Sequence, residues 1–398
     1  MGRHGTVPVA PGANQETACH GQWRPARLSR TWPTVGQHKK IASVLLAAVS
    51  VLATLGLLEA VFRVLAFRAD ERALLSTTEA APPPPGSPVR MGQILRPSLD
   101  QRIVFELIPE LSVNFLGAPL VTDERGFRAA RPAPSERATV RIVGLGDSVM
   151  FGWGVSGPEC FLSRLVDELG HQHPEVTWTA VNTAVPGYNT VMEVQTLRAK
   201  ALEPPPHLVL LNFVGNDLRL PNFVLKRRRY SSLERSFLLD FVRSRLLEQE
   251  GDLSPHLDYL PRQERPSEAD RVAAPYRDLV GKEGFHRALD DLASLAALHG
   301  FTVVVMAHPH VPAFVREAAQ ERGFFVIETG GRVRDLAMEL GHDGGWAPPL
   351  SLTPADPHPS ALGHALISQA LLEALEGAGL PARLVERALS AEGTGAPP

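Results

Sequence analysis

The sequence predicts an α/β fold in which a parallel β-sheet is covered by helices on both faces. Apolar, strand-like runs alternate with helical patterns from residue 137 onward, and such βα alternation is typical of parallel sheets. The predicted strands cover residues 139–145, 176–181, 208–213, 301–306 and 324–327. The predicted helices include residues 158–170, 190–201, 284–298 and 312–322. Each of four polar motifs follows a strand, and we therefore expect all four at the carboxyl edge of the sheet, where open α/β sheets bind ligands.

The first strand ends in Gly146-Asp147-Ser148 and turns into a helix. Ser148 is therefore expected at the sheet edge, with its backbone N–H at the positive end of the helix, where negative charge is stabilised. A serine in this position can equally act as a helix N-cap. By itself the motif leaves open whether Ser148 is a nucleophile or a capping residue.

The second strand leads into Pro186-Gly187, which predicts a type II turn with a positive φ at Gly187. Such a glycine can direct its N–H into a site because no side chain is in the way. Thr190 and Glu193, three residues apart, predict a capping box at the start of the next helix. An ordinary strand–turn–helix connection has the same pattern and remains an alternative.

The third strand ends in Gly215-Asn216-Asp217. The Asn216 side-chain amide could donate a hydrogen bond to an oxyanion. Alternatively, Asn216 is a turn residue that binds its own backbone.

The fourth motif is Asp356-Pro357-His358-Pro359-Ser360. The two prolines hold the chain extended and keep His358 out of a helix. Residues two apart in an extended chain face the same way, so Asp356 can reach the His358 ring and orient it. Ser360 is the predicted N-cap of a final amphipathic helix.

Taken in order, Gly-Asp-Ser, Gly, Gly-Asn-Asp and Asp-x-His resemble the four blocks of the SGNH (GDSL) hydrolase family, over roughly residues 137–376. The resemblance implies a flavodoxin-like three-layer α/β/α sandwich with a five-stranded parallel sheet. It implies Ser148 as the nucleophile and His358 as the general base. It also implies an oxyanion hole formed by the Ser148 N–H, the Gly187 N–H and the Asn216 amide.

Two further positions bear on this resemblance. The family most often has its aspartate three residues before the histidine, where this chain has Ala355, so Asp356 is the candidate third member of the triad. The segment 122–128, Thr-Asp-Glu-Arg-Gly-Phe-Arg, resembles a stretch that precedes the first block in membrane-anchored bacterial members.

The family resemblance implies a serine hydrolase acting on ester bonds, with no metal or other cofactor. Three functions remain open: an esterase or deacetylase acting on acyl esters of envelope polysaccharide or lipid, an acyl (O-acetyl) transferase acting on envelope polysaccharide, and a non-catalytic envelope scaffold. The sequence does not fit the nucleophile motif of α/β-hydrolases or the glycine motif of dinucleotide-binding proteins. Ser148 does not stand in Gly-x-Ser-x-Gly, and Gly144-x-Gly146 lacks the third glycine of a dinucleotide site.

Composition sets limits on compartment and partners. The 398 residues carry a net charge of −3, which predicts no nucleic-acid partner. Two cysteines, Cys19 and Cys160, are expected on opposite sides of a membrane, so they should not pair, and they provide no metal framework.

The domain organisation follows from an uncharged apolar run over residues 41–58, which is just long enough to span a bilayer. Lys39 and Lys40 precede it, which predicts a cytoplasmic N-terminus and an extracytoplasmic, periplasmic catalytic domain anchored in a bacterial inner membrane by one helix. A cleaved signal peptide or a buried core helix is the alternative. The predicted parts are a disordered cytoplasmic tail (1–37), an anchor (38–68), a Pro-rich linker (69–90), a pre-domain segment (91–136) and the hydrolase domain (137–392).

Residues 218–280 interrupt the βα pattern for longer than an ordinary connection, so we expect a cap over the site. The basic run 226–229, Lys-Arg-Arg-Arg, precedes an apolar helix predicted over residues 233–247. This run could contact anionic lipid or an acidic polymer, or simply be the solvated start of that helix.

Overall fold

The computed structural model describes residues 35–75, 83–128, 137–225, 236–246 and 257–394. The described residues divide into two units, with the boundary between Val61 and Phe62. Helix α1, Val35–Leu75, contains a stretch, Lys39–Arg68, that is long and apolar enough to cross a membrane. An 18-residue segment of this stretch has a mean hydropathy of 2.5 and contains no buried residue. The helix starts within the predicted tail and continues beyond residue 68. Residues 1–34, including Cys19, and residues 76–82 lie outside the described part.

A small β region precedes the main sheet. Strands β1 and β5 flank β4 in a three-stranded sheet, and β2 pairs with β3 in an antiparallel hairpin. Large apolar side chains such as Phe105 and Leu107 are fully buried here, so this region belongs to the hydrophobic core. The five strands are Pro88–Val89 (β1), Leu95–Pro97 (β2), Phe105–Leu107 (β3), Ser112–Phe115 (β4) and Ala118–Val121 (β5).

The central sheet has five parallel strands in the order β12-β11-β8-β6-β7. In chain order this is 2-1-3-4-5, the flavodoxin-like arrangement, which confirms the predicted fold class. Val209, Leu210 and Leu211 of the middle strand have no exposed surface, because helices cover both faces of the sheet. The strands after β5 are Thr139–Leu145 (β6), Thr177–Asn182 (β7), Leu208–Asn212 (β8), Phe223–Leu225 (β9), Leu257–Tyr259 (β10), Thr302–Ala307 (β11), Phe325–Glu328 (β12), Ser351–Thr353 (β13) and Asp356–Pro359 (β14).

Two groups of helices form the outer layers. Helices α3, α8 and α9 pack together, and α4, α6 and α7 pack together. The helices are Ser148–Phe151 (α2), Phe161–Gln172 (α3), Thr190–Thr196 (α4), Phe237–Leu246 (α5), Gly281–His299 (α6), Ala313–Glu321 (α7), Gly330–Glu339 (α8), Ala361–Gly377 (α9) and Leu380–Thr394 (α10). Helix α4 continues as a π turn, Leu197–Ala201, and short 3₁₀ segments cover Met91–Gln93, Gly157–Glu159, Arg262–Glu264, Ala269–Arg271 and Ala274–Leu279.

Two sequence-based expectations about these elements are wrong. Thr190 and Glu193 form no capping box: Asn189 is the N-cap of α4, and its side chain accepts from the Met192 N–H at 3.2 Å. Glu193 is 1% exposed and points into the core, so it cannot reach back to the helix start. The motif containing His358 does not follow a strand of the parallel sheet either. It lies in β14, which pairs with β13 in a separate antiparallel hairpin.

The insertion over residues 218–280 is only partly described. It contains the antiparallel pair β9 and β10 and helix α5, which lies within the predicted apolar helix. The basic run 226–229 lies outside the described residues, so its role stays a prediction. Ser360 is the N-cap of α9, as predicted, and accepts from the Gly363 N–H at 3.2 Å.

Candidate active site

Ser148 is the first residue of the one-turn helix α2, at the carboxyl end of β6. Asp147 is the N-cap of this helix, and its Oδ1 accepts from the Val149 N–H at 3.0 Å. The capping role that the sequence left open for Ser148 therefore belongs to its neighbour. A Cβ on Gly146 would lie 2.5 Å from the Met150 Cβ, so only glycine allows the strand to turn this sharply into the helix.

The structure brings Ser148, His358 and Asp356 into one hydrogen-bonded line. The His358 Nε2 lies 2.8 Å from the Ser148 Oγ, and its Nδ1 lies 2.6 Å from Asp356 Oδ1. A carboxylate only accepts hydrogen bonds, so the Nδ1 carries the ring proton and the Nε2 presents a lone pair to the serine hydroxyl. The extended backbone of β14 places the two side chains, two residues apart, on the same side.

The Asp356 carboxylate is held in its charged form. Its Oδ1 also accepts from the His358 backbone N–H at 3.1 Å, and its Oδ2 accepts from the Trp153 indole N–H at 3.2 Å. Burial by itself would raise the pKa of Asp356, but the hydrogen bonds from His358 and Trp153 outweigh burial and lower it. Asp356 is therefore ionised at neutral pH and can stabilise a positive charge on the imidazole.

Trp153 is a site residue that sequence reasoning missed. Besides its hydrogen bond to Asp356, its ring stacks on the His358 ring, with centroids 5.2 Å apart and an interplanar angle of 26°. The Phe115 ring of β4 also packs against Trp153 in a T-shaped arrangement, with centroids 5.2 Å apart. The available signal was a tryptophan between two glycines, just after the helix that begins at Ser148.

Gly187 adopts the predicted turn. Its φ is +88°, and the Tyr188 N–H donates to the Val185 carbonyl at 3.1 Å, as in a type II turn with Pro186 and Gly187 at its centre. A Cβ at Gly187 would lie 2.6 Å from the Asn222 Cγ. Both the backbone conformation and the close packing therefore require glycine.

Asn216 lies next to Ser148. Its Nδ2 donates to Asp147 Oδ2 at 3.0 Å, and the same oxygen is 3.2 Å from the Ser148 Oγ. The side chain thus binds Asp147 instead of its own backbone, which was the alternative for a turn asparagine. An amide nitrogen carries two protons, and Asp147 accepts one of them, which fixes the direction of the other. Sequence reasoning identified Asn216 but not its carboxylate partner.

Two buried carboxyl groups lie behind the site. Asp217 Oδ2 accepts from the Thr190 hydroxyl at 3.0 Å and from the Val214 N–H at 3.3 Å. Burial, followed by the charge of nearby carboxylates, raises the pKa of Asp217 and Glu193 well above the usual range. These groups therefore remain protonated where an exposed carboxyl would be charged, which limits the negative charge near Asn216.

Arg128 connects the segment 122–128 to the helix that carries Ser148. Its guanidinium donates to the carbonyls of Phe151, Gly152 and Val155 at 2.5–2.8 Å and lies over the Phe151 ring, 4.9 Å from its centroid. The positive charge faces the carbonyl end of α2, where the helix dipole favours a cation. The sequence singled out this segment but did not indicate its contact.

The part of the chain described here places no group of three or more His, Cys, Asp or Glu side chains to hold a metal ion. Cys160 is a buried free thiol.

No protein-family model and no curated protein matches the sequence. Solved structures of similar shape include one titled TesA, with 13% identity and a TM-score of 0.35, covering 60% of this chain and 98% of the other. An acetyl xylan esterase has 9% identity and a TM-score of 0.37, with coverage of 59% and 100%. A lipase/acylhydrolase from Enterococcus faecalis has 16% identity and a TM-score of 0.33, with coverage of 60% and 96%.

Proposed function

We propose that the protein is a serine esterase of the SGNH (GDSL) type that hydrolyses acyl esters through Ser148, His358 and Asp356. The observation that carries this proposal is the unbroken line of hydrogen bonds from Asp356 through His358 to Ser148, with distances of 2.6 and 2.8 Å. These lengths are short enough for proton transfer in the resting protein.

In the first half of the reaction, His358 Nε2 takes the Ser148 proton as the Ser148 Oγ attacks the ester carbonyl carbon. The imidazolium formed is stabilised by the ionised Asp356, which also keeps the ring in the reactive tautomer. His358 then gives its proton to the leaving alcohol as the carbon–oxygen bond breaks, which leaves an acyl group on Ser148. In the second half, His358 takes a proton from water as the water oxygen attacks the acyl carbon. His358 then returns this proton to the Ser148 Oγ as the bond between the acyl carbon and the Oγ breaks and the acid is released.

The negative charge on the carbonyl oxygen needs donors that are already in place. We assign this role to the Asn216 amide and to the N–H groups of Gly187 and Ser148. Removing one such donor costs roughly 2.7–4 kcal/mol of transition-state stabilisation in serine hydrolases. Ser148 contributes further because it lies at the N-terminus of α2, the positive end of the helix dipole.

We also propose that the site acts on the cell envelope. The helix containing Lys39–Arg68 would anchor the chain in the bacterial inner membrane. Lys39 and Lys40 at its start favour a cytoplasmic N-terminus, which puts Ser148 on the extracytoplasmic side. The substrate would then be an acyl ester of envelope polysaccharide or lipid.

The decisive experiment compares wild type with Ser148→Ala. Wild type should cleave p-nitrophenyl acetate and be labelled by a fluorophosphonate, whereas Ser148→Ala should lose nearly all cleavage and all labelling, because no other group replaces the Oγ. Ser163→Ala, in helix α3, is the matched control and should behave as wild type. Cleavage retained in Ser148→Ala would overturn the proposal, and addition of sugar acceptors to the same assay would reveal acyl transfer.

A further inference from the structure

A cavity of about 380 Å³ lies at the carboxyl ends of β11 and β12, the sheet edge on which Ser148 also lies. Its volume falls within the range of small-molecule sites, roughly 300–1,000 Å³. The cavity lining includes the polar or aromatic side chains of His308, His310, Glu328, Arg334 and Trp346.

The cavity is connected to the β13–β14 hairpin through Trp346. The Trp346 indole N–H donates to the Pro357 carbonyl at 2.9 Å, and Pro357 stands between Asp356 and His358. The Trp346 ring also lies against the His308 ring, with centroids 4.2 Å apart. A molecule in the cavity would therefore contact Trp346, which is hydrogen-bonded to the hairpin that presents His358 to Ser148.

Some polar groups of the cavity wall already have hydrogen-bond or ion-pair partners within the protein. Burial lowers the pKa of His308 to about 4, so its ring is neutral at pH 7, and its Nδ1 lies 3.1 Å from the Thr329 hydroxyl. Glu328 accepts from the Val311 N–H at 2.8 Å and pairs with Arg316 at 2.5 Å. This lining offers donors, acceptors and both signs of charge.

This chemistry distinguishes between classes of ligand. Pro309, Val333 and Leu350 form an apolar part of the wall, but imidazole, carboxylate and guanidinium groups line the rest. A long acyl chain would cover these polar groups without replacing the hydrogen bonds that they make to water. A strong anion would face Glu328, and a strong cation would face Arg334. A neutral ring with many hydroxyl groups fits best, because its hydroxyls both donate and accept, while its C–H face can pack on the Trp346 ring.

We propose that this cavity binds a sugar ring of an acylated polysaccharide while the ester carried by that polysaccharide reaches Ser148. The inference rests on the proposed esterase function and narrows its substrate to the polysaccharide class.

Gly331 allows a steric test. It lines the cavity in the first turn of α8, and a Cβ there would meet nothing within 4 Å, so Gly331→Leu fills the space without displacing backbone. Gly170 in α3 is the matched control, because it is also helical, a Cβ there would also meet nothing within 4 Å, and it lies outside the cavity lining. Thermal melts of both variants would check that the fold is intact.

We expect Gly331→Leu to lower kcat/KM on acetylated oligosaccharides of xylan, mannan or chitin at least about tenfold more than on p-nitrophenyl acetate, with the loss mainly in KM. Gly170→Leu should change neither value. An equal loss on both substrates, no loss on either, or a selective loss on p-nitrophenyl palmitate would overturn the inference.

A binding measurement separates this inference from the esterase proposal. Calorimetry should detect binding of the same oligosaccharides to Ser148→Ala. The double variant Ser148→Ala/Gly331→Leu should show no binding. Adding Arg334→Ala to Ser148→Ala should weaken oligosaccharide binding without closing the cavity. If the variants bind oligosaccharides in this way but the wild-type protein cleaves no ester, the sugar site is supported and only the proposed esterase activity is overturned. Absence of binding by every oligosaccharide would overturn the sugar site even if p-nitrophenyl acetate is cleaved.

Discussion

At the scale of single residues, the Ser148 hydroxyl has one proton and two acceptors within reach. The His358 Nε2 is 2.8 Å away and Asp147 Oδ2 is 3.2 Å away. Asp147 Oδ2 already accepts from Asn216, and Asp147 Oδ1 accepts from the Val149 N–H. The shorter contact and the fuller occupancy of Asp147 both direct the proton towards His358, which is the direction that ester attack requires.

Asp356→Asn should lower kcat by roughly 10²–10⁴ with little change in fold. An amide can donate to the Nδ1, which would favour the tautomer whose Nε2 carries the proton, and it brings no charge to stabilise the imidazolium. Steady-state kinetics on p-nitrophenyl acetate would measure the effect, with the exposed Asp270→Asn as control. Activity near wild type would mean that Ser148 and His358 work as a dyad.

Trp153→Phe keeps an aromatic ring against His358 but removes the indole N–H that binds Asp356 Oδ2. One net hydrogen bond contributes about 0.5–1.5 kcal/mol, so kcat should fall roughly two- to tenfold. The loss should be larger at low pH, because the pKa of Asp356 is no longer lowered by this donor. Trp178→Phe, which removes an indole contact to His173 away from the site, should leave the pH–rate profile unchanged.

At the scale of elements, the short helix α2 depends on contacts at both of its ends. Asp147 caps its N-terminus, and Gly152, with a φ of +82°, ends it after one turn. An isolated single turn is not stable in water, so its position must come from tertiary contacts. Arg128 provides them by binding carbonyls at the C-terminal end.

Arg128→Met should therefore lower both stability and activity. Three buried carbonyls lose their donor, at about 1–3 kcal/mol for each unsatisfied group, with partial relief if water enters. We expect a free energy of unfolding lower by about 2–4 kcal/mol and a reduced kcat, since Ser148 belongs to the same turn. Denaturant melts and kinetics would test this, with Arg125→Met from the same segment as a control and Arg128→Lys as a partial rescue. Unchanged stability would show that the carbonyls find other donors.

Glu193→Gln tests the buried carboxyl at the start of α4. Because burial raises the pKa of Glu193, the folded state keeps a proton that the unfolded state loses above about pH 4.3. Wild-type stability should thus fall as the pH rises from about 4.3 towards the raised pKa, and Gln, which does not titrate, should escape this loss. The Tm advantage of the variant should grow from pH 5 to pH 8, whereas the exposed Glu317→Gln should show none. Parallel Tm curves for wild type and Glu193→Gln would contradict the expectation.

At the scale of the whole molecule, one apolar helix and one α/β domain are joined in a single chain. Membrane insertion depends on the length and hydropathy of the helix, while the orientation depends on the charges that flank it. Only Lys39 and Lys40 lie directly before the apolar run, so these two charges should carry much of the orientation.

A β-lactamase fused after Pro398 should therefore protect cells from ampicillin, whereas the same reporter fused before residue 35 should not. Changing Lys39 and Lys40 together to Glu should reduce the protection given by the C-terminal fusion, because the positive flank is lost. Protection by the N-terminal fusion alone would reverse the proposed orientation and exclude an envelope substrate.

The sequence by itself determined the features that depend on neighbours along the chain. Continuous apolar runs indicated the five parallel strands, because strands covered on both faces carry few polar residues. Pro186-Gly187 predicted its turn, and the spacing of Asp356 and His358 predicted their contact, since both depend only on local backbone geometry.

Only the tertiary structure decided the contacts between residues far apart in the chain. Hydrogen bonds join Asn216 to Asp147, 69 positions away in the sequence, and Trp153 to Asp356, 203 positions away. Another joins Arg128 to Phe151, 23 positions away. Glu193 is a further example: its spacing from Thr190 predicted a capping box, but its side chain is buried in the core instead. Local periodicity specifies which face of an element is apolar, but the partner of a polar side chain depends on which elements pack together, and no short stretch of sequence carries that information.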